Sequence, residues 1–233
     1  MAQIAYRTAL IVGAGSGLSA SLTRLLAKNG LRVAIAARAT GKLEALALET
    51  GAKVFACDAV RHADVATLFA DVGRQVGEPD VVVYNASYRT RGPFVELDPV
   101  EVEKSIAVTA YGGFLVAQQA ARRMLPQGHG AILFTGASAS VKGYAQSAPF
   151  AMGKFALRGL AQSMARELGP QGIHVAHVVI DGGIRNPGRV EAADRPDSML
   201  DPDAIAENYL HLLRQPRSAW SFEVELRPWV ERF

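Results

Sequence analysis

Short, almost wholly apolar runs alternate along this chain with longer stretches in which leucine, valine and alanine recur every three or four residues. Runs at Ala9–Val12, Val33–Ala36, Lys53–Cys57, Val81–Tyr84, Ala131–Phe134, His174–Ile180 and Phe222–Leu226 predict seven strands, most of them apolar on both faces. Leu18, Leu22, Leu25 and Leu26 predict a helix that Asn29-Gly30 stops. Thr40 is placed to cap a second helix, carrying Leu43, Leu46 and Leu48. Further helices are expected from about Ala63 to Val76, from Pro99 to about Met124, from Phe150 to Leu168 and from Pro202 to Leu213. Apolar strands joined by helices mean an α/β protein, a doubly wound parallel sheet of about seven strands flanked by helices on both faces. Ligands of such sheets sit at the carboxyl ends of the strands.

Composition narrows the class. The 233 residues, 49% hydrophobic and 20% charged, suffice for a large core. No linker, charge block or repeat interrupts them, so a single domain over 1–233 with a short C-terminal tail is expected. A net charge of +3 argues for no nucleic acid and at most suits an anionic cofactor. The lone Cys57 excludes an internal disulfide and a cysteine-rich metal site, as expected of a cytoplasmic protein. Met1 to Arg7 lead straight into a strand, leaving no room for a signal peptide, and no apolar run reaches the ~18 residues of a membrane span.

The first strand ends in Gly13-Ala14-Gly15-Ser16-Gly17-Leu18-Ser19, immediately before a helix. Bare backbone at that junction lets a pyrophosphate reach the helix N-terminus, which makes this a dinucleotide turn of the Rossmann kind. Arg38 follows the second strand, 21 residues after Gly17. A site of this kind places an acid there for a ribose 2′-hydroxyl, or an arginine for a 2′-phosphate. Ala37 stands at the acid position, so nothing repels a phosphate that Arg38 can grip with its fork. NADP(H) is therefore expected over NAD(H). His174 and His177, three apart on a strand, face opposite ways and cannot share a metal; none is expected.

Around Phe150 runs Ser147-Ala148-Pro149-Phe150-Ala151-Met152-Gly153-Lys154, with the lysine one helical turn beyond the ring. This segment resembles the YxxxK helix of the short-chain dehydrogenase/reductase family, with phenyl in place of phenol. The glycine turn is similar to that family's TGxxxGxG, Val12 replacing the threonine and Ser19 the last glycine. Asp58-Ala59 resembles the pair that holds the adenine, and Asn85-Ala86-Ser87 the family's Asn-Asn-Ala-Gly, with Tyr84 for the first asparagine. Asp181-Gly182-Gly183-Ile184-Arg185-Asn186 resembles the segment flanking the nicotinamide. The resemblance covers about residues 7 to 186. It implies cofactor contacts from Gly13, Gly15, Ser16, Gly17, Leu18, Arg38, Asp58, Ala59, Asn85, Ala86, Lys154, Gly182 and Ile184. It further implies a small-molecule substrate and a homodimer or homotetramer paired through helices 99–124 and 150–168.

The catalytic set is where the resemblance fails. The family uses Asn, Ser, Tyr and Lys; the first three positions fall on Thr109, Ala137 and Phe150, and only Lys154 remains. A positioned general acid is worth about 10²–10⁴-fold in rate, and a phenyl ring has no proton to give. Tyr144, ten residues before Lys154, and Ser138 are the candidates for a relocated donor, with Ser140 behind them. A substrate such as an iminium ion or conjugated alkene needs no protein acid at the hydride-accepting atom. Three readings stand: an NADP(H)-dependent oxidoreductase with a rearranged acid, favoured here; an inactive nucleotide-binding or structural relative; and, on Val12 and Ser19 alone, a scaffold that no longer binds a dinucleotide. The segment Pro187–Asp197, the pocket lid in the family, is short and polar with charges of both signs, which disfavours a long acyl or steroid ligand.

Overall fold

The computed structural model describes residues 6–231; the leader reading of Met1–Ala5 and the C-terminal Phe233 lie outside them. Seven parallel strands form one sheet: β1 (Thr8–Val12), β2 (Arg32–Ala37), β3 (Lys53–Ala56), β4 (Val81–Tyr84), β5 (Gly130–Thr135), β6 (Ile173–Ile180) and β7 (Glu223–Leu226), in the order β3-β2-β1-β4-β5-β6-β7. Chain order reverses between β1 and β4, where Ala9 pairs with Val81 and Val12 with Tyr84. Connections leave β1 towards one edge and β4 towards the other, and a crevice lies at the carboxyl ends of the strands at this point.

The helices are α1 (Leu18–Lys28), α2 (Glu44–Thr50), α3 (His62–Gln75), α4 (Pro99–Ile106), α5 (Gly112–Met124), α6 (Ala148–Leu168) and α7 (Pro202–Arg214). Two apolar layers result. One packs Leu22 and Leu26 of α1 and Tyr209 and Leu213 of α7 against Ile11, Ile35 and Val83. The other packs Phe69 of α3, Val116 of α5 and Leu157 of α6 against Leu10, Val82, Phe134 and Ile132. Alternate side chains of each strand feed opposite layers, which is why both faces read as apolar in the sequence.

Two local expectations change. Thr40 makes no side-chain cap; a short 3₁₀ turn at Gly41–Leu43 intervenes, and α2 starts at Glu44. The helix expected from Pro99 to Met124 is interrupted by a π-helical segment, Ala107–Tyr111, where the Gly112 amide reaches back to the Ala107 carbonyl. The extra residue per turn has an identifiable cause. The Tyr84 ring, at the end of β4, is buried beneath this segment, and its hydroxyl donates to the Val108 carbonyl. Gly112 and Gly113 make the room: a Cβ at either would run into Tyr84 or Leu157. Thr109, within the segment, is buried and accepts from the Tyr88 amide (3.3 Å), fixing the loop after β4.

Tyr84→Phe removes the hydroxyl and with it the hydrogen bond to the Val108 carbonyl. A loss of about 1–2 kcal/mol in stability is expected by urea denaturation, with far-ultraviolet circular dichroism unchanged. Wild-type stability in the variant would mean that the π segment holds itself.

Candidate active site

The crevice is built from three loops and one helix face. Its first wall is the glycine turn. Gly13 sits at φ +88°, and a Cβ there would overlap the Ala86 backbone, so only glycine lets the loops after β1 and β4 cross this closely. The Gly13 and Ala14 amides anchor to the Ala36 carbonyl of β2 at 2.9 and 3.0 Å. Gly15 and Gly17 differ in kind. A Cβ on Gly15 would meet nothing within 4 Å, and one on Gly17 would only graze Asn186 at 3.7 Å. Packing does not demand glycine at either; close approach of a ligand backbone would. No side chain caps α1, and no acid occupies its first turn, so its N-terminal amides face the crevice with the positive end of the helix dipole.

Ser19 is a structural member of this wall. It is buried, its hydroxyl donates to the Gly13 carbonyl (3.1 Å), and it accepts from the Asn85 amide group (2.7 Å). Asn85 thus ties the loop after β4 to the glycine turn; its side chain acts on the scaffold. The serine thus holds the two loops together, and the turn stays open.

Two adjoining cavities run along the strand ends and share Gly13, Asn85 and Ser87. One, of about 270 Å³, is bordered by Arg38, Lys42, Asp58 and Ala59, with Ala86 on its floor. Neither Arg38 nor Lys42 has a side-chain hydrogen bond or ion pair among the described residues. Asp58 accepts from the Val60 amide in a tight turn (3.4 Å). Lys42 carried no signal in the sequence: it lies in a helical turn with no motif, and only the α2 approach brings it beside Arg38.

The other cavity, about 340 Å³, runs from Gly15, Gly17 and Leu18 to Ala137, Ser138, Phe150 and Lys154, with Gly182, Ile184 and Asn186 on the opposite side. Ser16 projects from the turn outside it, beside Arg24 and Lys42. Tyr144 does not line the cavity either; it is half exposed, and its ring lies 5.7 Å from the Lys142 ammonium. Ser140 is buried and accepts from the Ala137 amide (3.1 Å). Of the three donor candidates only Ser138 reaches the cavity, where it shares the lining with Lys154.

Lys154 is held by the β5 end, its ammonium donating to the Thr135 carbonyl (2.6 Å). Burial lowers its pKa from 10.5 to about 7, and Arg89 adds to the effect. Phe150 is buried between two cations: the Arg89 guanidinium carbon lies 4.0 Å from its ring centre, and the Lys154 nitrogen 5.7 Å. Arg89 was missed in the sequence because a loop arginine after a strand has no distinguishing pattern. The fold alone sets it over the α6 ring.

The comparisons with known proteins agree with this geometry. The family model described as short chain dehydrogenase matches residues 7–194. The D-threitol dehydrogenase of Mycolicibacterium smegmatis is 30% identical over 174 residues, which are 72% of this chain and 67% of that protein. The crystal structure of a short-chain dehydrogenase from Rhodopseudomonas palustris superposes with a TM-score of 0.82 at 34% identity, covering 96% of this chain and 99% of the other. A metagenomic short-chain oxidoreductase solved in complex with NADP gives 0.83 at 29%, covering 95% and 97%.

Lys154 should therefore titrate near pH 7 in cofactor-free protein, read by NMR of its ¹³Cε signal. Between about 7 and 10.5 the unfolded chain binds a proton that the folded one does not. Its contribution to stability accordingly rises with pH through that window and is lowest below it. A titration above pH 9 would contradict the burial of the ammonium.

Proposed function

Because the chain belongs to the short-chain dehydrogenase family, we propose that it is an NADP(H)-dependent oxidoreductase acting on a small carbonyl compound, imine or activated alkene, with Lys154 as its proton donor. The observation that carries the reading is the pairing of an open glycine turn with an acidified, buried lysine at opposite ends of one cavity. The cofactor, when bound, supplies hydride; the chain must hold it and provide the matching proton.

Each half of that task has residues suited to it. The α1 N-terminus and the bare Gly13, Gly15 and Gly17 backbone suit a pyrophosphate. Arg38 and Lys42, without a carboxylate between them, suit a 2′-phosphate and favour NADP(H) over NAD(H). Asp58 and Ala59 border the place of the adenine. At the other end, an ammonium with a pKa near 7 is a far stronger acid than one at 10.5, and general acids work best with a pKa near the working pH. Ser138 supplies a hydrogen-bond donor to an oxygen held beside it.

Thr109, Ala137 and Phe150 at the positions that resemble the family's Asn, Ser and Tyr favour a second reading, a nucleotide-binding relative without turnover. In either case the protein is a cytoplasmic homodimer or homotetramer. The exposed Tyr111, Phe114, Met152 and Phe155 on the 99–124 and 150–168 helices supply an apolar face for pairing. No helix among the described residues is long and apolar enough to cross a membrane.

NADPH should bind at least tenfold tighter than NADH by nicotinamide fluorescence, and Arg38→Ala should erase most of that preference. Equal affinities would dismiss the 2′-phosphate assignment, and no binding of either would dismiss the oxidoreductase reading. With a turned-over substrate in hand, Lys154→Arg, which keeps the charge but yields no proton, should lower the rate at least 10²-fold. Tyr144→Phe should leave the rate within twofold. A large loss in Tyr144→Phe with full activity in Lys154→Arg would move the donor to the loop.

A further inference from the structure

The substrate end of the crevice is cationic and has no acid of its own. Arg89, Lys154 and Arg189 line it, whereas no aspartate or glutamate among the described residues does. Nearby acids are engaged elsewhere: Asp181 is buried against Lys142 (3.3 Å), and Glu191 and Asp201 lie within ion-pair distance of Arg185 (3.7 and 2.5 Å). Arg91 follows Arg89 in the same loop, and Arg89 has a lowered pKa, through partial burial first and then through Arg91 and Arg189. Like charges gathered around one cavity repel one another, so the arrangement costs stability unless an anion enters.

The glycine turn accounts for the phosphates of a dinucleotide, but not for Arg89. That guanidinium lies at the other end of the cavity, 4.0 Å over the Phe150 ring on the helix that carries Lys154. At that distance the guanidinium is close enough to stack, and a stacked guanidinium keeps its edge N–H groups for other partners. Those donors form a planar fork whose natural partner is a carboxylate, bound by two parallel hydrogen bonds. Among the described residues no carboxylate lies within ion-pair distance of Arg89.

We propose that the substrate is a small carboxylate-bearing molecule whose carboxylate is clamped by the edge of Arg89 while Phe150 backs the guanidinium and Arg189 adds charge at the cavity mouth. The proposal rests on the oxidoreductase reading and narrows it: the group reduced or oxidised lies between the carboxylate at Arg89 and the ammonium of Lys154. Phe150, in this arrangement, is a platform for the anion-binding arginine. A hydroxyl on that ring is not needed to hold the substrate.

The test separates the cofactor from the substrate. Full-length protein is first titrated with NADP⁺. The NADP⁺-saturated protein is then titrated by calorimetry with benzoate, phenylacetate and lactate, and in parallel with benzamide, phenylacetamide and lactamide. At least one acid should bind tenfold or more tightly than its own amide. Arg89→Gln should bring the pair to within threefold of each other while NADP⁺ affinity changes less than threefold. Arg89→Lys, which keeps the charge but lacks the fork, should weaken the acid several-fold and serves as the check that the first variant has not merely misfolded. Acids and amides of equal affinity in NADP⁺-loaded protein overturn the carboxylate proposal alone. So does an acid preference that survives Arg89→Gln. Failure of NADP⁺ itself to bind removes the oxidoreductase reading and this inference with it.

Discussion

The loops after β1 and β4 cross within van der Waals distance, and everything in the site depends on that crossing. It is possible because Gly13 has no Cβ where the Ala86 backbone passes. It is fixed because Ser19 and Asn85 bond each other and the Gly13 carbonyl across the gap. The strand order, reversing at β1 and β4, sends their connections to opposite edges, so the crossing lies at the mouth of the crevice. From it the rest follows in sequence: the position of the α1 N-terminus, the course of the loop that carries Arg89, and the seating of Tyr84 under the π segment.

Tyr84 connects the crevice wall to the helix layer. One strand residue closes β4, and its hydroxyl satisfies a carbonyl of the π segment. That segment in turn packs Thr109 against Gly153, one residue before Lys154, where a Cβ would collide with the threonine. The lysine is therefore positioned by contacts on two sides, the Thr135 carbonyl ahead and the close helix crossing behind. A π segment adds a residue without breaking the helix, and α6 packs against α4, the π segment and α5 alike.

How much of this was legible follows from where each signal is stored. Strands buried on both faces advertise themselves as unbroken apolar runs, so the sheet and its helices could be read directly. The glycine turn could be read because backbone clearance leaves a mark in residue type. The π segment could not. Its apolar positions continue the helical period, and its cause, a tyrosine hydroxyl from a strand 24 residues earlier, is tertiary. Ser19 was visible only as a departure from a pattern; its role depends on Asn85, 66 residues away. Thr40 has the residue type of a cap, but a 3₁₀ turn takes its place at the helix start. Arg89 and Lys42 gave no signal at all, since their meaning lies in what they face.

Phe150 was the most conspicuous residue in the sequence, and its physical consequence extends past a missing proton. A phenol at this position would present a polar edge to the neighbouring ammonium; a phenyl ring presents only an apolar edge and a quadrupole face. Burial beside it raises the cost of charge on Lys154, which is the first cause of the lysine's depressed pKa. The ring face meanwhile attracts the Arg89 guanidinium, which adds repulsion and lowers that pKa further. A phenyl ring here offers no proton of its own, while the burial it shares with Lys154 and the arginine over its face both act against charge on the lysine one turn along.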